Sequence, residues 1–179
     1  MILADLGADV IKIERPQIGD RARGTGPFMK DTSSYFLSSN RGKKGITLDL
    51  TRPKGKSLLL QLIKHVDILV ENFTPGTMER LGFEYPRLKE LNPRLIYASI
   101  SGFEQTGPYA QRPALDIVAQ AMSGVMSING EPGRPPARLG ISLGDLGSSL
   151  FTVIGILAAL EERHRSGKGQ VLDISMLDS

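Results

Sequence analysis

One carboxylate is placed where chemistry would use it. Asp145 lies in LGISLGDLGSSLFTVIGILAALEERH, Leu139 to His164, between Gly144 and Gly147 at the entry to a long apolar helix. The flanking glycines give little steric cover. An acid at a helix N-terminus meets unpaired backbone N–H groups and the positive end of the dipole, which favour its ionised form. That suits a carboxylate nucleophile. It equally suits an ordinary N-cap, where Asp is among the favoured residues. Position alone leaves both readings open.

Other stretches carry weaker signals. NRGKKG, Asn40 to Gly45, gathers Arg41, Lys43 and Lys44 just before a strand. It is suited to a phosphate-rich ligand through charge-assisted hydrogen bonds, or equally to a solvated basic edge. In ENFTPGTMERLG, Glu71 to Gly82, a strand ends, Pro75-Gly76 turn the chain, and a helix begins with Arg80 one turn in. That offers backbone donors and a cation to an anion, or it is a structural turn. Asp116, in ALDIVAQAMSG, is a carboxylate on an apolar helix, either functional or solvent-facing. Glu14 ends an early strand, where a nicotinamide-binding domain keeps its ribose-gripping acid. The glycine fingerprint belongs about 20 residues upstream, before this sequence begins, so that alternative stays open. His65 and His164 sit near helix ends, where the dipole favours a cation, and neither is assigned a catalytic role. Met122 and Met126 are expected to fill core.

Composition narrows the classes. The 179 residues are 40% apolar and 23% charged, the profile of a soluble globular protein. With no cysteine, disulfides, thiolate catalysis and Cys-based zinc sites are excluded, and two histidines make a His-rich metal site unexpected. A net charge of +3 allows an anionic small ligand and falls short of a nucleic-acid-binding stripe. No apolar run is judged of membrane-spanning length and no signal peptide opens the chain, so no membrane partner and a cytoplasmic location are expected. Both termini read as cut from a larger whole.

The elements that must position these residues alternate. Strands are expected at Asp9–Glu14, Ile46–Leu50, Asp67–Glu71 and Leu95–Ile100, with a last one in QVLDIS. A polar loop spans Arg15–Ser34. Thr51 is expected to cap a helix whose apolar face is Leu58, Leu59, Leu62 and Ile63. Short helices follow NFTPG, ending at Gly82, and cover Tyr85–Leu91; Ala114–Ser123 is another. In the Asp145 helix, Leu150, Val153, Ile154, Leu157 and Leu160 recur at helical spacing and would face the core. With no convincing linker, this describes one doubly wound α/β domain, a mainly parallel sheet with helices on both faces. Ligands of such sheets bind outside the strand C-termini, beside the loops after Glu14, Glu71 and Ile100 and the one carrying Asp145.

The series LADLGADVIKIERP, GDRAR, YFLSSNRGKKGITLDL, DILVENFTPG, RLG, LNPRLIYASISGFEQTGPY, QAMSG, GDLGSS and GILAALEERHRSGKGQVLDISMLD resembles the class III CoA-transferase family, which includes formyl-CoA and carnitine CoA-transferases. The blocks cover essentially the whole chain in family order. The resemblance implies that residues 1–179 are the N-terminal part of a large, Rossmann-like CoA-binding domain, incomplete at both ends. A first strand, a smaller domain and a C-terminal return would lie outside it. It implies that Asp145 is the acyl-accepting carboxylate of an enzyme moving CoA between an acyl-CoA and a carboxylic acid through covalent aspartyl intermediates. Coenzyme A and acyl-CoA are then substrates, with no permanently bound cofactor and no metal.

Arg15, Asn72, Phe73 and Arg80 match positions lining the family's CoA site, Arg41 lies in the matching basic segment, and Asp116 is expected to orient groups near the reacting carboxylate. Related alpha-methylacyl-CoA racemases pair the nucleophile's equivalent with a histidine just before the equivalent of Asp116. Here that residue is Leu115, which cannot carry a proton, so transfer is favoured over racemisation. Full-length members form an interlocked homodimer. The 179-residue segment alone is expected to be inactive and to expose an apolar sheet edge or face.

Overall fold

The computed structural model describes all 179 residues. The chain comprises two compact units, Met1–Gln61 and Leu62–Ser179.

The first unit opens on α1 (Ile2–Asp5), which stops before Gly7 as expected. β1 (Val10–Glu14) pairs in parallel with β4 (Lys43–Thr47), in register Val10 with Lys43 through Glu14 with Thr47. β4 therefore starts three residues before the expected Ile46, and two lysines of the basic segment lie inside it. Both are held locally: Lys44 pairs with Asp9 at 2.8 Å, and Lys43 donates to the neutral Asn40 amide at 2.9 Å. The loop between the strands holds a helical turn at Arg21–Gly24 and a short antiparallel hairpin, β2 (Phe28–Met29) with β3 (Thr32–Ser33). It then enters α2 (Ser34–Asn40), which the apolar pattern does not announce. Its cap does, because Ser33 Oγ accepts from Phe36 N at 3.0 Å.

α3 (Pro53–Ile63) begins two residues beyond Thr51. Thr51 is not its cap, since its hydroxyl and its N–H both donate to the Asp49 carboxylate, at 2.6 and 2.9 Å. Leu59 and Ile63 are buried, whereas Leu58 is exposed. The boundary between the two units falls within this helix.

The second unit is built on a three-stranded parallel sheet in the order β5 (Ile68–Glu71), β6 (Ile96–Ser101), β7 (Val171–Ser175). The central strand, hydrogen-bonded on both sides, is buried along nearly its whole length, and the flanking strands are half-exposed. Between β5 and β6 run α4 (Thr77–Leu81) and α5 (Tyr85–Leu91), within the expected bounds. α4 ends at Gly82, whose φ of 83° is a left-handed stop that suits glycine. After β6 come α6 (Asp116–Met122) and the 24-residue α7 (Leu143–Ser166). These observations confirm an α/β class with mainly parallel strands and helices packed on them.

α7 departs from expectation in the face it buries. Its buried residues are Gly144, Ser148, Thr152, Ile156, Ala159 and Arg163, whereas Leu150, Ile154 and Leu157 are exposed, Ile154 to 60%. Size explains the choice. A helix packed on β6, β7 and α6 presents mostly small residues there, with Ile156 and Arg163 as the large exceptions; the closest approach is at Gly144, where a Cβ would lie 3.3 Å from Ala119. The buried hydroxyls of Ser148 and Thr152 are satisfied by carbonyls one turn back, at 2.7 and 2.6 Å. By length and composition α7 is also apolar enough to cross a membrane, contrary to the expectation that no run reaches that length; here its small-residue face packs on protein.

Candidate active site

Asp145 occupies the first turn of α7, exposed and three residues past the N-cap Ser142. The glycines beside it also shape the packing of the helix start. A Cβ on Gly144 would meet Ala119 at 3.3 Å, Asp116 at 3.4 Å and the Met176 carbonyl at 3.6 Å; on Gly147 it would meet the Ser179 backbone at 3.4 Å. They let the start of α7 lie against α6 and the turn after β7, while Asp145 between them stays exposed.

The electrostatics differ from expectation. Partial burial of the carboxyl, then the negative charge of Asp116, push Asp145 above the ordinary carboxylate range, although the residue keeps an open surface. The helix start does not win, in part because its Gly144 N–H is already taken by Asp116, at 2.9 Å. A carboxylate raised in this way is a better nucleophile when ionised, because basicity and nucleophilicity rise together.

The second cluster lies at the C-terminal ends of β5 and β6. Sequence patterning passed over its organiser, Glu71, which is 8% exposed. Its carboxylate accepts from Phe73 N at 2.8 Å, from the Ser99 hydroxyl and from the Tyr97 hydroxyl at 3.4 Å; Gln105 in turn donates to Ser99 at 2.9 Å. Burial and the Glu71 charge push the Tyr97 phenol upward. This network pins the turn after β5 and leaves Asn72, Phe73 and Arg80 at the surface. Asn72 Nδ2 donates to the Ile100 carbonyl at 2.7 Å, and Arg80 donates to Thr77 at 2.7 Å. An exposed aromatic, an amide and a guanidinium can stack a ring, accept a polar edge and neutralise a phosphate. α4 itself, with five residues, adds little dipole.

The first unit holds the remaining two expected residues. Arg15 follows β1, is exposed and has no ion-pair partner. Arg41 is engaged through both nitrogens by Asp5, at 3.0 and 2.7 Å. With Lys44 paired to Asp9, two of the three cations of the basic segment are neutralised by ion pairs. Glu14 is not free to grip a ribose: Arg23 clamps it with two bonds of 2.9 and 3.0 Å, and Lys12 adds its charge at 3.5 Å. Those partners hold its carboxyl below the usual range, the Arg23 bond most of all. No cluster of His, Cys, Asp and Glu suited to a metal is present.

The chain belongs to CoA-transferase family III, which it matches over residues 1–179. Among its relatives are the acetyl-CoA:oxalate CoA-transferase of Acetobacter aceti, 51% identical over 99% of this chain and 46% of that one. The succinyl-CoA:glutarate CoA-transferase of Mus musculus is 43% identical over 100% of this chain and 41% of its own length. A crystal structure of a CAIB/BAIF family protein from Brucella suis superposes with a TM-score of 0.93 at 43% identity, covering 98% of this chain and 48% of that one. The chain thus spans about half the length of the curated relatives it matches.

Proposed function

We propose that this chain supplies the nucleophile and part of the CoA site of an enzyme that moves CoA between an acyl-CoA and a carboxylic acid. The observation carrying the reading is Asp145: an exposed carboxylate on the first turn of α7, raised above the ordinary range, on a helix start packed through Gly144 and Gly147.

In the first step an Asp145 oxygen attacks the thioester carbonyl, the C–S bond breaks, and a mixed anhydride and CoA thiolate form. The thiolate attacks the aspartyl carbonyl and displaces the donor acid as its carboxylate, leaving an enzyme–CoA thioester. The acceptor carboxylate attacks that thioester and releases the thiolate, giving a second anhydride. The thiolate then attacks the acceptor carbonyl, forming the new acyl-CoA and freeing Asp145. Charge and atoms balance without a redox or metal step, and each exchange is easier than a direct one. Arg15, Asn72, Phe73 and Arg80 hold CoA, with Arg41 as a further cation once it leaves Asp5.

Residues 1–179 are, in this reading, the N-terminal part of a large CoA-binding domain. The whole protein is a cytoplasmic, interlocked homodimer, and the 179-residue segment alone is inactive. The apolar face that the segment exposes lies on α7 more than at the sheet edges. Racemisation would need a proton carrier at position 115; Leu115 is 74% exposed and offers none.

The relatives' names include oxalate, glutarate and mesaconate, all dicarboxylates, so the first acids to test are short dicarboxylic ones. The full-length protein is incubated with their CoA thioesters and with acetyl-CoA, quenched with hydroxylamine, and its peptides are mapped by mass spectrometry. A hydroxamate on Asp145, lost in Asp145→Asn, supports the reading. CoA binding with Asp145 unmodified across that panel sinks it, and exchange of the alpha proton without an acceptor acid would point to a racemase.

A further inference from the structure

Resting on the reading of Asp145 as nucleophile, we propose that Asp116 and Gln120 of α6 are positioning residues that fasten the segment entering α7 and so aim Asp145. Being four residues apart, they share a helix face. Gln120 is 2% exposed and its amide is fully used. Its Oε1 accepts from Leu139 N at 2.9 Å, and its Nε2 donates to the Ile141 carbonyl at 3.0 Å and to Asp116 Oδ2 at 2.7 Å. The other Asp116 oxygen accepts from Gly144 N at 2.9 Å. Three backbone groups between Leu139 and Gly144 are therefore held by two side chains, and the last of them is the residue before Asp145.

The donor–acceptor pattern closes in one way only. An ionised Asp116 accepts twice, which turns the Gln120 Nε2 toward it and toward Ile141, and leaves Oε1 for Leu139 N–H. An asparagine at 116 has one acceptor for these two donors, so its Nδ2 would face either the Gln120 amide or the Gly144 N–H, and flipping Gln120 would mismatch both backbone contacts. The approach at Gly144 is close: a Cβ there would lie 3.3 Å from Ala119 and 3.4 Å from Asp116, so Ala119 would have to give slightly. The same geometry gives Asp116 an electrostatic effect on its neighbour. Asp116 is the charged group from α6 that acts on Asp145. The end of β7, also packed on this turn, presents the Met176 carbonyl and the Ser179 backbone. The Asp145 helix itself adds the Ser148 and Ser149 hydroxyls, which bond backward to carbonyls, Ser149 to that of Asp145 at 2.7 Å.

The test separates aiming from folding and from the transferase reading. In the full-length protein with ¹³C-labelled aspartate, the Asp145 carboxyl is titrated by NMR in the wild type, Asp116→Asn and Gln120→Leu, and CoA affinity is measured on each. Single-turnover formation of the Asp145 adduct is followed against pH. Asp116→Asn should lower the Asp145 titration midpoint. Gln120→Leu, which keeps the Asp116 charge, should slow adduct formation about 10- to 100-fold, the scale of a misaimed reacting group. CoA affinity should stay within about two-fold in both, since neither residue belongs to the CoA cluster. An unmoved midpoint in Asp116→Asn, or a rate loss matched by an equal loss of CoA affinity, overturns the proposal. Should Asp116→Asn fail to fold, Gln120→Leu decides the aiming claim by its rate-to-affinity split. A wild type that never forms the adduct sinks the transferase reading, while the titration arm still judges Asp116.

Discussion

The two units of this chain cohere by different means. In Leu62–Ser179, Phe83, Leu88, Leu95, Ile96 and Ile156 are all 0% exposed, a core of ordinary apolar burial. In Met1–Gln61 the only buried large apolar side chain is Leu59, and the most buried polar one is Ser33. Charge organises that unit instead. Lys12 pairs with Asp20 and reaches Glu14, Arg23 clamps Glu14, and both cations face the Phe36 ring, at 4.8 and 3.9 Å from its centroid. Arg41–Asp5 and Lys44–Asp9 tie its outer edge. Apolar burial is not weakened by charge screening or mild acid; exposed ion pairs are weakened by both. The unit holding the proposed nucleophile should therefore be the sturdier against changes of solution, and the more fragile to a cavity.

The largest effect expected is in the second unit. Phe83→Ala removes a fully buried ring and should cost about 3–5 kcal/mol in urea unfolding, with little dependence on salt. A cost below about 1 kcal/mol would show that the core is looser than its burial implies and would dissolve the contrast.

Next is acid sensitivity in the first unit. The Arg23 bond holds Glu14 low, and the Arg41 bond does the same for Asp5. Burial pushes Asp20 up, but the Lys12 and Ala22 N–H bonds outweigh it. Carboxyls depressed in the folded state give stability that is present above their unfolded values, about 3.9 for Asp and 4.3 for Glu, and is lost as pH falls through the folded ones. Hydrogen exchange read peptide by peptide should show β1 and β4 opening before β6 as the pH falls from 7 toward 3. Glu14→Gln should bring that opening forward at pH 7 and shrink the difference in 1 M salt. Uniform opening of both sheets would break the comparison.

Much of this was legible beforehand, and the failures share a cause. The turn at Pro75-Gly76, α5 and β6 follow from local signals, proline and glycine punctuation and a continuous apolar run. The start of β4 does not, because Lys43 and Lys44 carry no apolar strand pattern and sit on a two-stranded sheet whose edge accepts charged side chains. Apolar spacing does not reveal which face α7 buries, because that face is mostly glycine, serine, threonine and alanine, with Ile156 its one large apolar residue. The place of Asp145 in the first turn of α7 is readable from sequence. Its electrostatics are not, since Asp116 lies 28 residues before Gly144 and becomes its partner only in the fold.

Asp145 itself makes an exception within the sturdy unit, and a smaller effect should expose it. Its carboxyl is raised by burial and by Asp116, the reverse of Glu14. Stability from such a group is fully present below its unfolded value, about 3.9, and is lost as pH rises through the folded one. Asp145→Asn should therefore make the second unit slightly more stable at pH 7 and have no such effect below about pH 4. That would be the expected trade of stability for a reactive group. Destabilisation at pH 7 would mean the carboxylate serves chiefly as a cap.

The smallest contrast lies between two arginines of the first unit, and it concerns binding. Arg15 is uncommitted, whereas Arg41 must surrender a two-nitrogen contact with Asp5 before it can meet a phosphate. Losing a free, charge-assisted contact should weaken CoA binding about 10-fold in Arg15→Ala. Arg41→Ala should change it by about two-fold or less, because the phosphate contact it removes is offset by the Asp5 contact that never had to break. Isothermal titration of CoA into the two full-length variants compares them directly. If Arg41→Ala proves the more damaging, the Asp5 pair opens on binding, and the neutralised basic edge is a latch for the ligand as well as a tie within the unit.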